Sequence, residues 1–208
     1  MEIKTDHQKK VRQIVLAEWD FFQKVQNEGG RAGCQDDWTT FEIMRTSQFE
    51  TWSDELLTSY QQDLEEAAEA GRNPLAEKYA YMMKYTSPEE YSRMEKLLPP
   101  IPPEKQALVD AAADCQVAWR LEYEERYPAL AGRGRPVHSS EDQPWSVSFE
   151  TYFKGEALTW SERTLRLYAA YVRDLKEQGI NQILEVMKHT VAFYGYPDLD
   201  AAEKGQKN

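Results

Sequence analysis

The sequence predicts an all-α protein: a single helical domain over residues 1–208, with about eight to nine helices built from two related helical halves. Apolar residues recur at helical spacing through most of the chain, and capping residues and glycines delimit these stretches. No stretch shows the alternation typical of a strand. With 6 Trp, 12 Tyr and 7 Phe, and 41% of its residues apolar, the chain can fill a packed core.

The first helix is predicted over residues 6–27, where Gly29 and Gly30 are expected to end it because glycine accepts a positive φ. Caps and stops predict the next helices. The inward face of the first helix is predicted to contain Val11, Ile14, Val15, Glu18, Phe22 and Val25. The other helices of the first half are predicted over 37–52 with Asp37 as cap, over 53–70 with Ser53 as cap, and after the pairs Asn73–Pro74 and Ser87–Pro88.

The second half is predicted to begin after a stiff, proline-rich connector at residues 99–103. The residues after Pro197, up to 208, are small and polar and are expected to fray. The predicted helices of this half cover 104–127, 146–158, 161–178 and 181–194.

An internal repeat emerges when the chain is shifted by 108 residues. Residues 41–85 then fall on 149–193 without a gap, and 11 of the 45 positions are identical. The identical positions include residues that cap or end helices, such as Asn73 and its counterpart Asn181. The two segments are therefore predicted to have the same helix boundaries. We interpret the chain as a first repeat, 6–98, the connector 99–103, and a second repeat, 104–196. The alternative is that two helical segments share capping residues by chance.

The charge composition disfavours two classes of partner. Lys plus Arg is 25 and Asp plus Glu is 36, which gives a net charge of −11. Without a basic cluster, such a chain repels nucleic acid and anionic membrane surfaces. No segment approaches 18 uninterrupted apolar residues, and the first ten residues do not resemble a signal peptide. The two cysteines, Cys34 and Cys115, form no disulfide framework, so a cytoplasmic location is expected.

Charged and polar side chains interrupt the predicted inward faces. A lone buried charge is very costly, so such groups must be paired, hydrated or ligand-bound. One interpretation is a buried network that fixes helix register. The other is a polar pocket in which Arg31 and Arg45 hold a small anion and a glutamate serves as acid or base. The interrupting residues are Glu18, Glu42, Arg45, Gln48, Glu150 and Glu156.

Other reactive residues give weaker indications. Cys34 is a candidate nucleophile if the repeat brings His138 beside it, although a loop cysteine without a neighbouring base is usually inert. The glycines of the loop, Gly29, Gly30 and Gly33, resemble an anion cradle, which the neighbouring aspartates oppose. No metal is predicted, because His7, His138 and His189 lack ligand spacing and the glutamates lack the Glu-x-x-His pairing of di-iron bundles.

Four long motifs resemble a bacterial family known only as a domain of unknown function: GGRAGCQDDWTTFEIMRTSQ, GRNPLAEKYAYMMKYTSPEEY, YPALAGRGRP and SFETYFKGEALTWSERTLRLY. The resemblance covers residues 11–196. It implies an all-helical cytoplasmic bacterial protein and supplies no reaction, ligand, cofactor or catalytic residue.

The sequence therefore supports three functional hypotheses. The first is a helical protein that binds a small, anionic ligand between its two halves. The second is a small-molecule enzyme at the same site, with Glu42, Glu150 or Cys34 as catalytic candidates, and the third is a helical interaction module. The sequence assigns neither a cofactor nor an oligomeric state. The predicted ligand-binding residues are Glu18, Arg31, Glu42, Arg45, Gln48 and Glu150.

Overall fold

The computed structural model describes residues 5–26 and 30–206 of the chain. Within these ranges the chain forms eleven α-helices, three short 3₁₀ helices and no strand apart from one isolated bridge, which confirms the all-α prediction. Two short helices, α7 (Pro128–Ala131) and α11 (Leu199–Gln206), were not predicted.

The helices are divided between the two predicted halves. The first half contains α1 Asp6–Gln23, α2 Trp38–Phe49, α3 Asp54–Glu69, α4 Pro74–Thr86 and α5 Pro88–Met94. The second half contains α6 Pro103–Arg126, α7 Pro128–Ala131, α8 Phe149–Ala157, α9 Glu162–Glu177 and α10 Gln182–Phe193, and α11 Leu199–Gln206 follows it in the residues predicted as a tail.

Local capping chemistry sets most helix starts. The Asp37 side chain accepts a hydrogen bond from the Thr40 amide at 3.0 Å, and Ser53 Oγ accepts one from the Leu56 amide at 3.2 Å. Ser148 caps α8, which therefore begins at Phe149 and not at the predicted residue 146.

The first helix ends earlier than predicted. It stops at Gln23, whereas the sequence suggested residue 27, because the Gln35 side-chain amide donates to the carbonyls of Phe22 and Val25 at 2.9 and 3.0 Å. This amide supplies hydrogen-bond donors to carbonyls that the backbone N–H groups of a further helical turn would otherwise have satisfied. Asn27 and Gly29, to which the predicted helix end was assigned, lie outside the described residues.

The predicted frayed tail is wrong for α11. Leu199 and Ala202 are buried in a small cluster around Tyr123 and Val191. The Glu203 carboxylate, itself buried, accepts hydrogen bonds from two backbone amides at the start of α7. Two apolar contacts and one carboxylate therefore hold the tail on the body of the protein.

The two halves contact each other reciprocally. Helix α2 contacts α10, α4 contacts α8, and α3 contacts α9. Such an exchange of partners is what a two-fold arrangement of related units produces. The predicted register also matches helix bounds, since α3 and α9 begin 108 residues apart (162 − 54) and end 108 apart (177 − 69). The duplication itself stays a prediction.

An aromatic cluster occupies the contact between the halves. Trp52 and Trp160, which are 108 residues apart, are both buried, and their ring centroids lie 5.4 Å apart at an edge-to-face angle of 85°. Tyr60 and Tyr168 pack against this pair. Edge-to-face packing is a favoured aromatic geometry, so this cluster ties the halves together through burial and ring orientation.

The described residues include no helix that is long and apolar enough to cross a lipid bilayer.

Candidate functional site

Beside the aromatic cluster lies a group of buried and partly buried polar side chains from five helices. We call it the ion network. Its members interrupt the apolar faces of α1, α2, α3, α4 and α8, so packing of these helices brings them together. The ion network consists of Glu18, Arg45, Gln48, Tyr60, Lys78 and Glu156.

Arg45 lies at the centre of the ion network, between two carboxylates. Its Nε and Nη2 atoms each donate to one oxygen of Glu18 at 2.6 Å. Tyr60 donates its hydroxyl to the same carboxylate at 2.6 Å. A bidentate arginine–carboxylate pair of this kind is among the strongest hydrogen-bonded contacts in proteins.

Glu156 completes the ion network from the second half. Its oxygens accept from Arg45 Nη2 and Nη1 at 3.0 and 3.1 Å, from Gln48 Nε2 at 3.1 Å, and from Lys78 Nζ at 2.7 Å. Two glutamates thus face one arginine and one lysine, so the buried charges cancel. Such full pairing is the condition under which buried charges are tolerated.

The ion network favours the charged form of Glu156 and the neutral form of Tyr60. Burial alone would raise the pKa of Glu156, but the charges of Arg45 and Lys78 overcome it and hold this pKa well below 4.5. Burial raises the pKa of Tyr60 well above 10.0, so its hydroxyl remains a donor. Glu156 therefore carries no proton near neutral pH and is unsuited to act as a general acid.

Three of the predicted site residues, Glu18, Arg45 and Gln48, do come together in the ion network. The other three do not. Glu42 is about a third exposed, at 33% for its side chain, and forms a short ion pair with Arg12.

Glu150 and Arg31 have local partners instead. Glu150 accepts from Lys154 Nζ at 2.8 Å and from the Ser139 amide at 2.9 Å. Arg31 is exposed and donates to Asp36 at 2.8 Å. These side chains occupy helix flanks and loops, where a nearby partner satisfies them, and so they are not part of the ion network.

The sequence made Cys34 a candidate nucleophile only if the repeat brings His138 beside it. Both residues are exposed, and no hydrogen bond or ion pair joins them in the described residues. In the loop whose glycines resemble an anion cradle, Arg31 and Asp36 form an ion pair; Gly29 lies outside the described residues. Across the described ranges, no three His, Cys, Asp or Glu side chains form a group that could hold a metal ion.

A cleft of about 740 Å³ opens beside the ion network, with a wall that includes Arg45, Gln48 and Glu156. The segment between α7 and α8 forms its mouth, where Arg133, Arg135 and Trp145 are exposed. A volume of this size is typical of small-molecule sites.

The arginines at the mouth have little compensation. Arg133 has no hydrogen-bonding or ion-pair partner among the described residues. Within residues 5–26 and 30–206, Arg135 donates only to the Val147 carbonyl, at 3.2 Å, and its guanidinium lies 4.6 Å from the Tyr152 ring centroid. Deeper in the cleft, Arg120 donates to Glu124 through Nε and Nη2, both at 3.1 Å, and its guanidinium lies 5.8 Å from the Phe149 ring centroid. Hence this part of the cleft is cationic.

Sequence reasoning missed Lys78 and the arginines of the mouth. Lys78 follows Leu75 by three residues and precedes Met82 by four, so it shares their inward face, and that spacing was the available signal. Arg133 and Arg135 flank Gly134 in a loop, where helical periodicity carries no information. A Cβ on Gly134 would come within 2.5 Å of Arg120 Nη2, so this glycine lets the loop approach that arginine.

Comparison with known protein families gives a match over nearly the whole chain. Neither curated proteins nor solved structures yielded a similar chain. A model of the family described as "Protein of unknown function (DUF4125)" matches residues 8–204, nearly the whole sequence. The chain therefore belongs to this family of unknown function, DUF4125.

Proposed function

We propose that the protein binds a small organic anion with a flat, aromatic part in the cleft beside the ion network. The observation that carries the proposal is the uncompensated charge of Arg133 and Arg135 at the mouth of a cleft lined by aromatic rings. A bacterial, cytoplasmic setting, with no nucleic acid or membrane partner, is part of the same proposal.

Charge supports an anion as the occupant. The cleft lining includes four arginines but only two acidic residues, Asp37 and Glu156, in a protein whose net charge is −11. Arg45 is neutralised within the ion network and Arg120 is paired with Glu124, so Arg133 and Arg135 are the groups left to meet a ligand. Guanidinium groups bind carboxylates and phosphates through paired N–H donors.

Aromatic lining supports a flat ligand. Eight aromatic residues line the cleft. Trp145, at the mouth, is 83% exposed. Large exposed aromatic side chains at a concave site commonly stack on a ligand, and burial of this ring would add to the affinity.

The geometry favours binding over acid–base catalysis. The one glutamate in the cleft wall, Glu156, has a depressed pKa and four hydrogen bonds, so it is poorly placed to exchange a proton. The ion network is better explained as the rigid floor of a binding site. Use as an interaction module has no comparable support, because the cationic groups line a concavity.

Isothermal titration calorimetry with indole-3-acetate, phenylacetate and phenyl phosphate tests the proposal. At least one probe should bind, and Arg133→Ala and Arg135→Ala should each weaken it about tenfold or more, because a hydrogen bond to a charged group contributes about 1.5–3 kcal/mol. Arg173→Ala, on the exposed side of α9, is the matched control and should bind as the wild type does.

Two results would contradict the proposal. Failure of all three probes to bind would remove the anion site, and so would equal affinities in the arginine variants and the control. NMR spectra of each probe after prolonged incubation with the protein test the enzyme alternative, because binding alone leaves the probe chemically unchanged.

A further inference from the structure

The cleft has a second polar wall. Unlike the ion network, this wall contains only neutral side chains. We call it the amide relay, and its members come from α6, α9, α10 and the turn after α2. Gln116, Tyr168 and Gln182 are buried and line the cleft, while Thr51 lies behind them. The amide relay consists of Thr51, Gln116, Tyr168 and Gln182.

The hydrogen bonds of the amide relay have only one consistent direction. Thr51 Oγ1 donates its single hydrogen to the Gln48 carbonyl at 2.7 Å, so it can only accept from Gln182 Nε2, which is 3.1 Å away. The amide of Gln182 is thereby oriented, and its Oε1 faces the other two members.

The same logic orients the next amide. Gln182 Oε1 accepts from the Tyr168 hydroxyl at 2.9 Å and from Gln116 Nε2 at 2.7 Å. Gln116 Nε2 also donates to the Tyr168 oxygen, at 2.8 Å. Both hydrogens of the Gln116 amide are therefore used, and its carbonyl oxygen must point away from the relay.

Gln116 Oε1 is the acceptor that remains. It has no hydrogen-bond donor among the described residues, although Gln116 is only 3% exposed and lines the cleft. If the Gln116 amide were reversed, its oxygen would lie against Gln182 Oε1. Reversal of the Gln182 amide as well would remove this repulsion, but it would place Gln182 Oε1 against Thr51 Oγ1, whose hydrogen is already donated to the Gln48 carbonyl. The wall thus presents one fixed acceptor to whatever occupies the cleft.

We infer that Gln116 Oε1 receives a hydrogen bond from the ligand, so the ligand is an aromatic organic anion that also carries an N–H or O–H donor. This inference rests on the proposed function and narrows its ligand class. A buried site built to pair with a donor discriminates against an analogue that lacks it, because the acceptor then loses its partner.

A matched pair of probes tests the inference. Indole-3-acetate and benzofuran-3-acetate have the same shape and the same carboxylate, and differ in whether the ring presents N–H or an oxygen. In the wild type, indole-3-acetate should bind about tenfold more tightly, the ratio that corresponds to a difference of about 1.4 kcal/mol.

Two variants separate the acceptor from its orientation. Gln116→Met removes the acceptor at similar volume and should bring the affinity ratio of the two probes close to one. Thr51→Val leaves Gln116 in place but removes the hydroxyl that orients Gln182, so both amides can reverse and the ratio should also fall. Because Thr51 does not line the cleft, this second variant tests the relay even if Gln116→Met fails to fold.

Arg133→Ala distinguishes this inference from the proposed function. It should weaken both probes by the same factor and leave their ratio unchanged. If both probes bind the wild type equally, or if the ratio survives Gln116→Met and Thr51→Val, the inference is overturned while the anion site stands. If neither probe binds the wild type, the anion site and the inference fail together.

Discussion

Arg45 binds Glu18 with two parallel hydrogen bonds of 2.6 Å, and this contact joins α1 to α2 in the interior of the protein. Glu18 is 1% exposed. The same guanidinium reaches Glu156 on α8, so one side chain connects the first half to the second. Removal of any charge from this group leaves another buried without a counter-charge.

Glu18→Gln should therefore reduce the free energy of unfolding by about 3–5 kcal/mol, the usual cost of breaking a buried ion pair. Urea denaturation measures this change. Glu42→Gln is the control, because Glu42 pairs with Arg12 at the partly exposed surface and should lose less than about 1 kcal/mol. Equal losses in the two variants would show that the ion network contributes no special stability.

The acid limb of stability should depend on Glu156. Its pKa is lowered in the folded state, so its contribution is complete above the ordinary carboxyl pKa of 4.5 and is lost as the pH falls toward the folded value. Glu156→Gln removes this group, so its unfolding free energy should change less than that of the wild type between pH 6 and pH 3. Urea denaturation at several pH values in this range gives the unfolding free energy of each protein against pH. Parallel curves for the wild type and the variant would show that folding does not lower the pKa of Glu156.

Gly155→Ala should destabilise the protein although alanine favours helices. An added Cβ would lie 2.7 Å from Met82 Cγ and 3.0 Å from the Lys78 carbonyl oxygen, where α4 and α8 approach closely. Overpacking of this kind costs about 1–3 kcal/mol, which thermal or urea unfolding can detect. Gly33→Ala is the control, since a Cβ there meets no atom within 4 Å and the change should be within about 0.5 kcal/mol. A neutral or stabilising Gly155→Ala would contradict the close approach.

Glu203→Ala should loosen α11 and the start of α7 together. The carboxylate accepts from the amides of Ala129 and Leu130 at 3.0 and 2.9 Å, and its loss leaves both without this partner, at a cost of about 1–3 kcal/mol. Hydrogen exchange of these two amides should accelerate. Glu185→Ala, on the more exposed flank of α10, should leave their exchange unchanged. Unchanged exchange in Glu203→Ala would mean that apolar contacts alone hold the tail.

Much of the fold could be predicted because its boundaries are set by local chemistry. Asp37, Ser53 and Asn73 accept hydrogen bonds from amides two or three residues ahead, and such caps are visible in the sequence. The end of α1 could not be predicted in this way, because Gln35, thirteen residues beyond Phe22, supplies the terminating hydrogen bonds. The docking of α11 likewise depends on a distant partner, the start of α7.

The candidate site was predictable in part for the same reason. Glu18, Arg45 and Gln48 interrupt apolar faces, which marked them as buried polar groups. Glu42 and Glu150 lie at the edges of their faces, where a small rotation of the helix about its axis decides between interior and surface, and sequence spacing does not resolve that difference. Arg133 and Arg135 belong to a loop, whose path depends on tertiary contacts such as the close approach of Gly134 to Arg120 and the backbone hydrogen bond from Phe149 to Pro136.

The edge-to-face pair of Trp52 and Trp160 gives the protein an intrinsic optical reporter. Both indoles lie in a dry aromatic environment, so they should emit at short wavelength while the halves remain packed and shift to longer wavelength when water reaches them. Trp145, exposed at the mouth, should behave in the opposite manner and shift to shorter wavelength when a guest covers it. Separation of the halves and binding in the cleft would then shift the tryptophan emission maximum in opposite directions, so intrinsic fluorescence distinguishes them without any added label.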